Sequence, residues 1–212
     1  MKTIELRNLA SASFYEDVLR VLQDGGLVCL PCKSSYRIVT DLGNEAAVSR
    51  LLQSKRRTRK APSLVFISGP EMLKQVTRQI DPVARKLAER FWPGNLTLLF
   101  PANPELPAMV IKELAKANGK LGVRAPEERH VREIVSSLGR PILVSSANRA
   151  QKTGAASPAQ IRKNFAAQVD LFLDAGDLPS SAASTVVDIV EGKAIVTRAG
   201  AITQEQLDAV LA

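Results

Sequence analysis

The chain has little of what most enzyme chemistries need. Its 212 residues hold two cysteines, one histidine and one tryptophan. Cys29 and Cys32 stand three positions apart, so a bridge between them would close a tiny loop and leave the rest of the chain unconstrained. A zinc centre would need two further ligands, and the remaining candidate of the usual type is His130. A Ser-His-Asp or Cys-His arrangement would depend on that same residue, which sits in the charged stretch EERHVRE at the start of an expected helix and is expected at the surface. Neither G-x-G-x-x-G nor G-x-x-x-x-G-K-[ST] occurs, so a nucleotide would have to be held without those loops. No run of roughly 18 apolar residues is present, and the opening MKTIELRNLASASF lacks the charged-then-apolar order of a signal peptide. A cytoplasmic protein without membrane contact is expected.

Positive charge is what the chain has in excess. Lys and Arg number 29 against 21 Asp and Glu, for a net charge of +8, and SKRRTRK at 54–60 concentrates five positive residues. Such a surface suits a polyanion, either nucleic acid or a phosphorylated ligand, although an isolated basic run is as often a solvated face.

Periodicity sets out the elements. Phe14, Val18, Leu19, Val21 and Leu22 recur at helical spacing, and Gly25-Gly26 is a helix C-terminal signal. Short apolar segments at 27–30, closed by Pro31, and at 64–67, 96–100, 121–123, 142–146, 169–174, 184–190 and 194–198 read as strands. Helices are expected at about 45–53, 81–91, 130–138, 158–165 and 203–211, with Pro93-Gly94 and Glu191-Gly192-Lys193 as turns and 149–157 as a loop. Strands interleaved with helices, together with a C-terminal hairpin, predict one α/β domain over 1–212 with a mixed sheet.

Within the C-x-x-C, Cys29 falls in an apolar strand and KSSYRIVTD after Cys32 is extended in character. No helix start lies where a reactive thiol would need one. Small hydroxyl and basic residues gather instead at strand ends, where ligands of open α/β sheets bind: Ser34, Lys55, Arg57, Arg124, Ser146, Asn148, Ser184 and Arg198. Each has an ordinary alternative taken alone. Ser184 fits a turn, Asn148 a cap, and Arg124 a salt bridge with Glu127 or Glu128.

In order, these segments resemble the Sua5/YrdC/YciO family, the threonylcarbamoyl-AMP synthases. The family's P-T-[DE]-T-x-Y-G-L-x-x-D reads PCKSSYRIVTD here, its K-x-R reads Lys55-Arg56-Arg57, and WPGNLT, VRAP, Ser146-Ala147-Asn148, STVVD and RAGAI follow. The resemblance implies a YrdC-like twisted mixed sheet flanked by helices around a large basic cavity. It implies an L-threonylcarbamoyladenylate synthase, a nucleotidyltransferase joining L-threonine, bicarbonate and ATP with release of pyrophosphate. That product serves the t6A modification at position 37 of tRNA, with Mg²⁺ alongside ATP and separate proteins completing the pathway.

By matching position, Lys55, Arg57, Ser146 and Asn148 would carry catalysis, with Asn148 orienting the S-x-N turn. Arg57, Lys60, Ser146 and Arg198 would face ATP, while Ser34, Tyr36, Arg124 and Ser184 would hold threonine. No protein side chain is expected as a metal ligand. Departures gather at the amino-acid end: Cys32, Lys33 and Arg37 replace the family's Thr, acidic residue and Gly, and Val144 stands where Ser or Thr is usual. The alternative reading is a family paralogue that binds RNA, tRNA or a double-stranded form, or a nucleotide, with altered amino-acid specificity.

Overall fold

The computed structural model describes residues 1–6, 13–54, 64–115, 119–147 and 157–212. The chain runs β1 Lys2–Glu5, α1 Ser13–Gln23, β2 Val28–Cys32, β3 Ser35–Asp41, α2 Glu45–Ser54 and β4 Leu64–Phe66. A 3-10 turn, Pro70–Met72, leads straight into α3 Leu73–Val76, followed by α4 Pro82–Phe91, β5 Leu96–Pro101, α5 Ala108–Leu114, β6 Lys120–Arg124 and α6 Arg129–Leu138. The last part holds β7 Ile142–Ser146, α7 Pro158–Phe165, β8 Leu171–Asp174, β9 Thr185–Val190, β10 Lys193–Arg198 and α8 Gln204–Leu211. This is the mixed α/β architecture expected.

Two compact units result, each assembled from two separated stretches: Met1–Arg59 with Glu133–Ser181, and Lys60–Arg132 with Ala182–Ala212. In the first, strands lie in the order β1-β8-β2-β3-β7. β8 pairs parallel with both β1 and β2, whereas β2/β3 and β3/β7 are antiparallel. Phe14, Val18 and Leu22 of α1, spaced four apart, are all but fully buried, as the periodicity predicts. Gly25 ends α1 at φ +75°, with the Gly26 N–H on Val21 O (2.7 Å) and the Gly25 N–H on Leu22 O (3.1 Å). That is a Schellman closure, and the left-handed φ is why glycine stands there.

The second unit orders its strands β4-β6-β5-β9-β10. β4/β6 and β5/β9 are parallel, while β5/β6 and the β9/β10 hairpin are antiparallel. Glu191 and Gly192 both have positive φ (50° and 73°), as a two-residue type I′ turn requires. Asp81 caps α4 through the Val83 N–H, and Thr203 with Gln206 forms a reciprocal capping box on α8.

The chain departs from expectation in five places. Pro31 does not close β2 but lies inside it, opposite Tyr36. The register of β8 against β2 covers Val28 and Cys29, so Pro31 sits two positions beyond it, where a missing N–H is tolerated. β1, α3 and α5 were not foreseen. KTIE is short, with Ile4 as its one apolar residue, and becomes a strand through its parallel register with β8. His130 is buried at 8% exposure, because the 130, 134, 138 spacing puts it on the same stripe of α6 as Ile134 and Leu138 despite its charged neighbours.

Candidate functional site

In the second unit, four of the quoted segments meet through hydrogen bonds. β6 ends at Arg124, which is 6% exposed. Its Nε donates to Gly94 O (2.6 Å), its Nη2 donates to Asn95 Oδ1 (2.9 Å), and the guanidinium carbon lies 5.8 Å from the centre of the Phe66 ring. The planar fork thereby holds the turn of WPGNLT. That turn is fixed further by the Gly94 N–H on Ala125 O (3.0 Å) and by Trp92 Nε1–H on Leu96 O (2.7 Å). A Cβ at position 94 would lie 2.4 Å from Phe91 O, so the turn admits only glycine without moving backbone.

The same turn receives β9: the Thr185 N–H donates to Asn95 O (3.0 Å). Ser184, just before β9, shares a hydrogen bond with Thr97 Oγ1 (3.0 Å) and accepts from Arg198 Nη2 at both Oγ (2.9 Å) and O (2.7 Å). RAGAI closes over this point. The Ala201 N–H donates to Ala183 O, and the Thr185 hydroxyl donates to Ile202 O. Ser184 and Arg198, expected on different ligands, are thus direct partners. Asn95, Thr97 and Thr185 belong to the network although none was singled out, and the available signal was their place inside WPGNLT and STVVD.

The first unit presents Ser34 at the tip of a two-residue hairpin between β2 and β3, beside Lys33 at φ +51°. Ser34 is half-buried. Ser146 ends β7 directly opposite Arg37, and the Ala147 N–H donates to Tyr36 O (2.9 Å), tying the end of β7 to this hairpin. Tyr36 itself is fully buried, its ring edge-on to Phe172. Its hydroxyl donates to Gly176 O (2.7 Å) and accepts from the Ala175 N–H (3.0 Å). Burial pushes the phenol up to about 12, only partly offset by the Ala175 N–H, so the group stays a neutral donor at working pH. Expected on the substrate, Tyr36 spends both hydrogen-bonding capacities on the chain after β8. Lys55, Arg57, Lys60 and Asn148 lie outside the described residues.

The model of the Sua5/YciO/YrdC family, described as "Telomere recombination", matches residues 20–200. The chain belongs to this family. It is 28% identical over 190 residues to the threonylcarbamoyl-AMP synthase of Pyrococcus abyssi, covering 90% of this chain and 55% of that protein. It is 29% identical over 193 residues to the threonylcarbamoyl-AMP synthase of Thiobacillus denitrificans, covering 91% of this chain and 98% of that one. Among solved structures, P. abyssi Sua5 complexed with L-threonine matches with a TM-score of 0.88 at 26% identity, over 100% of this chain and 61% of that one. The chain thus spans little more than half of the archaeal relative and nearly all of the bacterial one.

The C-x-x-C of this Sua5/YciO/YrdC chain has no redox geometry. Both cysteines are buried on β2 and no disulfide joins them. Residues three apart on a strand point to opposite faces and lie about 10 Å apart, beyond the roughly 7 Å span of a disulfide. Under mild oxidant no Cys29–Cys32 disulfide is expected, and both thiols should alkylate fully once the chain is denatured. A chain that takes up no alkyl group and weighs two units less than the unalkylated reduced form would contradict this. Among the described residues no group of three or more His, Cys, Asp or Glu side chains could hold a metal ion, and no helix is long and apolar enough to cross a membrane.

Proposed function

We propose that the protein is a threonylcarbamoyl-AMP synthase acting on L-threonine, bicarbonate and MgATP to supply the t6A modification of tRNA. The observation that supports it best is the Arg124, Ser184 and Arg198 network, which joins four family segments distant in sequence. The likeness to Sua5 and the names of the relatives agree with it. The proposal takes 1–212 as one domain, because each unit draws on both halves of the chain.

In this reading the neutral threonine amine adds to bicarbonate and one water leaves, giving the carbamate. The carbamate oxygen then attacks the α-phosphorus of ATP and pyrophosphate leaves. Every reactant carries negative charge, so fixed cations and hydroxyl donors lower the barrier without a protein nucleophile. Arg124 and Ser184 are assigned to the threonine carboxylate and hydroxyl, with Ser34 at the hairpin tip. Lys55, Arg57, Lys60, Ser146 and Arg198 are assigned to the phosphates, and Asn148 to the turn after β7. Tyr36 acts from behind, holding the hairpin to the chain after β8.

The test is pyrophosphate release, with the adenylate identified by mass while L-threonine, bicarbonate and ATP are omitted in turn. Product that needs all three is expected, and Lys55→Ala and Arg57→Ala should each abolish it. Pyrophosphate release that ignores threonine would overturn the proposal.

A further inference from the structure

Arg37 is not accounted for by anything above. On β3 it stands opposite Leu30 of β2 on one side and Ser146 of β7 on the other. Paired residues and residues two apart share a face, so Cys32, Ser35, Val39 and Val144 lie on this same face. Most of these neighbours are buried apolar groups, with Leu30 and Val39 at 0% and Cys32 and Val144 at 3% exposure. They cannot solvate a guanidinium. The Arg37 Nε is buried and has no hydrogen-bond partner among the described residues. The carboxylate on this face, Asp41, is already held by Arg140 at 2.8 Å.

A charged donor left unmatched in such a place lowers stability unless something outside the chain completes it. Arg37 itself is only half-buried, so its fork remains accessible. Ser146 stands opposite it on β7, and Ser35 lies two residues before it on the same face of β3.

We infer that Arg37, with Ser146 beside it, is an oxyanion subsite that binds a phosphoryl or carboxylate group of the ligand. This deepens the synthase reading and rests on it for the ligand's identity, but not for the subsite. A guanidinium meets either oxyanion with two parallel N–H donors, and a serine hydroxyl can donate a third bond. The two sources of that anion are the nucleotide's phosphates and the amino acid's carboxylate.

The experiment uses the full chain as wild type, Arg37→Met and Arg37→Lys. Pyrophosphate and L-threonine are titrated separately by calorimetry, and denaturant midpoints are measured without ligand. Arg37→Met should weaken one of the two probes by roughly tenfold to a hundredfold, while the other is unchanged. The weakened probe identifies which anion the subsite takes, and Arg37→Lys should restore affinity only in part. Without ligand, Arg37→Met should be as stable as wild type or more so, since it removes a buried donor with no partner among the described residues. Unchanged affinity for both probes, failure of the wild type to bind either, or a large loss of stability in Arg37→Met would overturn the inference. Arg37-dependent pyrophosphate binding in a protein that forms no adenylate would sink the synthase reading and leave this one standing. Adenylate formation with full Arg37→Met affinity would do the reverse.

Discussion

Arg124→Ala is expected to lose about 3 kcal/mol of stability and at least roughly a hundredfold in adenylate formation. The substitution strips donors from Gly94 O and Asn95 Oδ1 and empties the space over Phe66, all at a position only 6% exposed. Two partly buried acceptors would then lack their charged partner. The turn they anchor also receives Thr185 and so sets where Ser184 lies. Arg124→Lys should recover part of the stability but little activity, because a single ammonium does not reproduce a planar fork aimed at two acceptors. Urea titration with the adenylate assay on the same samples checks both effects. A wild-type midpoint for Arg124→Ala would show that the arginine does not hold the turn.

Gly200→Ala is the second change with a large expected effect. A Cβ there would lie 2.4 Å from Ala183 O and 2.5 Å from Ser184 C and Thr185 N, and every one of these atoms is backbone. No side chain can swing aside, so either RAGAI lifts or the chain at Ser184 retreats. Overpacking of this kind costs about 3 kcal/mol. Retreat would also break the bonds from Arg198 to Ser184 and from Ala201 to Ala183. Gly43→Ala is the control, since its nearest neighbour would be Asp41 Oδ1 at 3.5 Å. That variant should stay within about 0.5 kcal/mol of wild type. If Gly200→Ala matches the control in stability and turnover, the close approach of RAGAI to Ser184 has no consequence.

Local chemistry carried most of the element assignments. The Phe14, Val18, Leu22 spacing and Gly25-Gly26 suffice to start and stop α1, and Glu191-Gly192 suffices to turn β9 into β10. Both rest on backbone preferences that act over a few residues. β1 escaped notice because four residues with Ile4 as the one apolar side chain are too few to show an alternating pattern, and they become a strand through β8, about 170 positions away. His130 was misplaced for a related reason. Its charged neighbours in sequence point elsewhere on α6, and its own side of the helix is apolar.

By itself, the sequence determined the class of protein and its chemical means: an α/β chain with cations and hydroxyls at strand ends, in the order of the Sua5/YciO/YrdC family. Only the tertiary structure decided what each of those groups holds. Arg124 grips a turn some 30 residues back, Arg198 grips Ser184 rather than standing apart from it, Tyr36 is turned inward to Gly176, and the two cysteines face opposite ways. The physical reason is that a strand's neighbours and faces are set by sheet order and register. These depend on pairing between distant segments and leave no trace in the composition or spacing of any one of them.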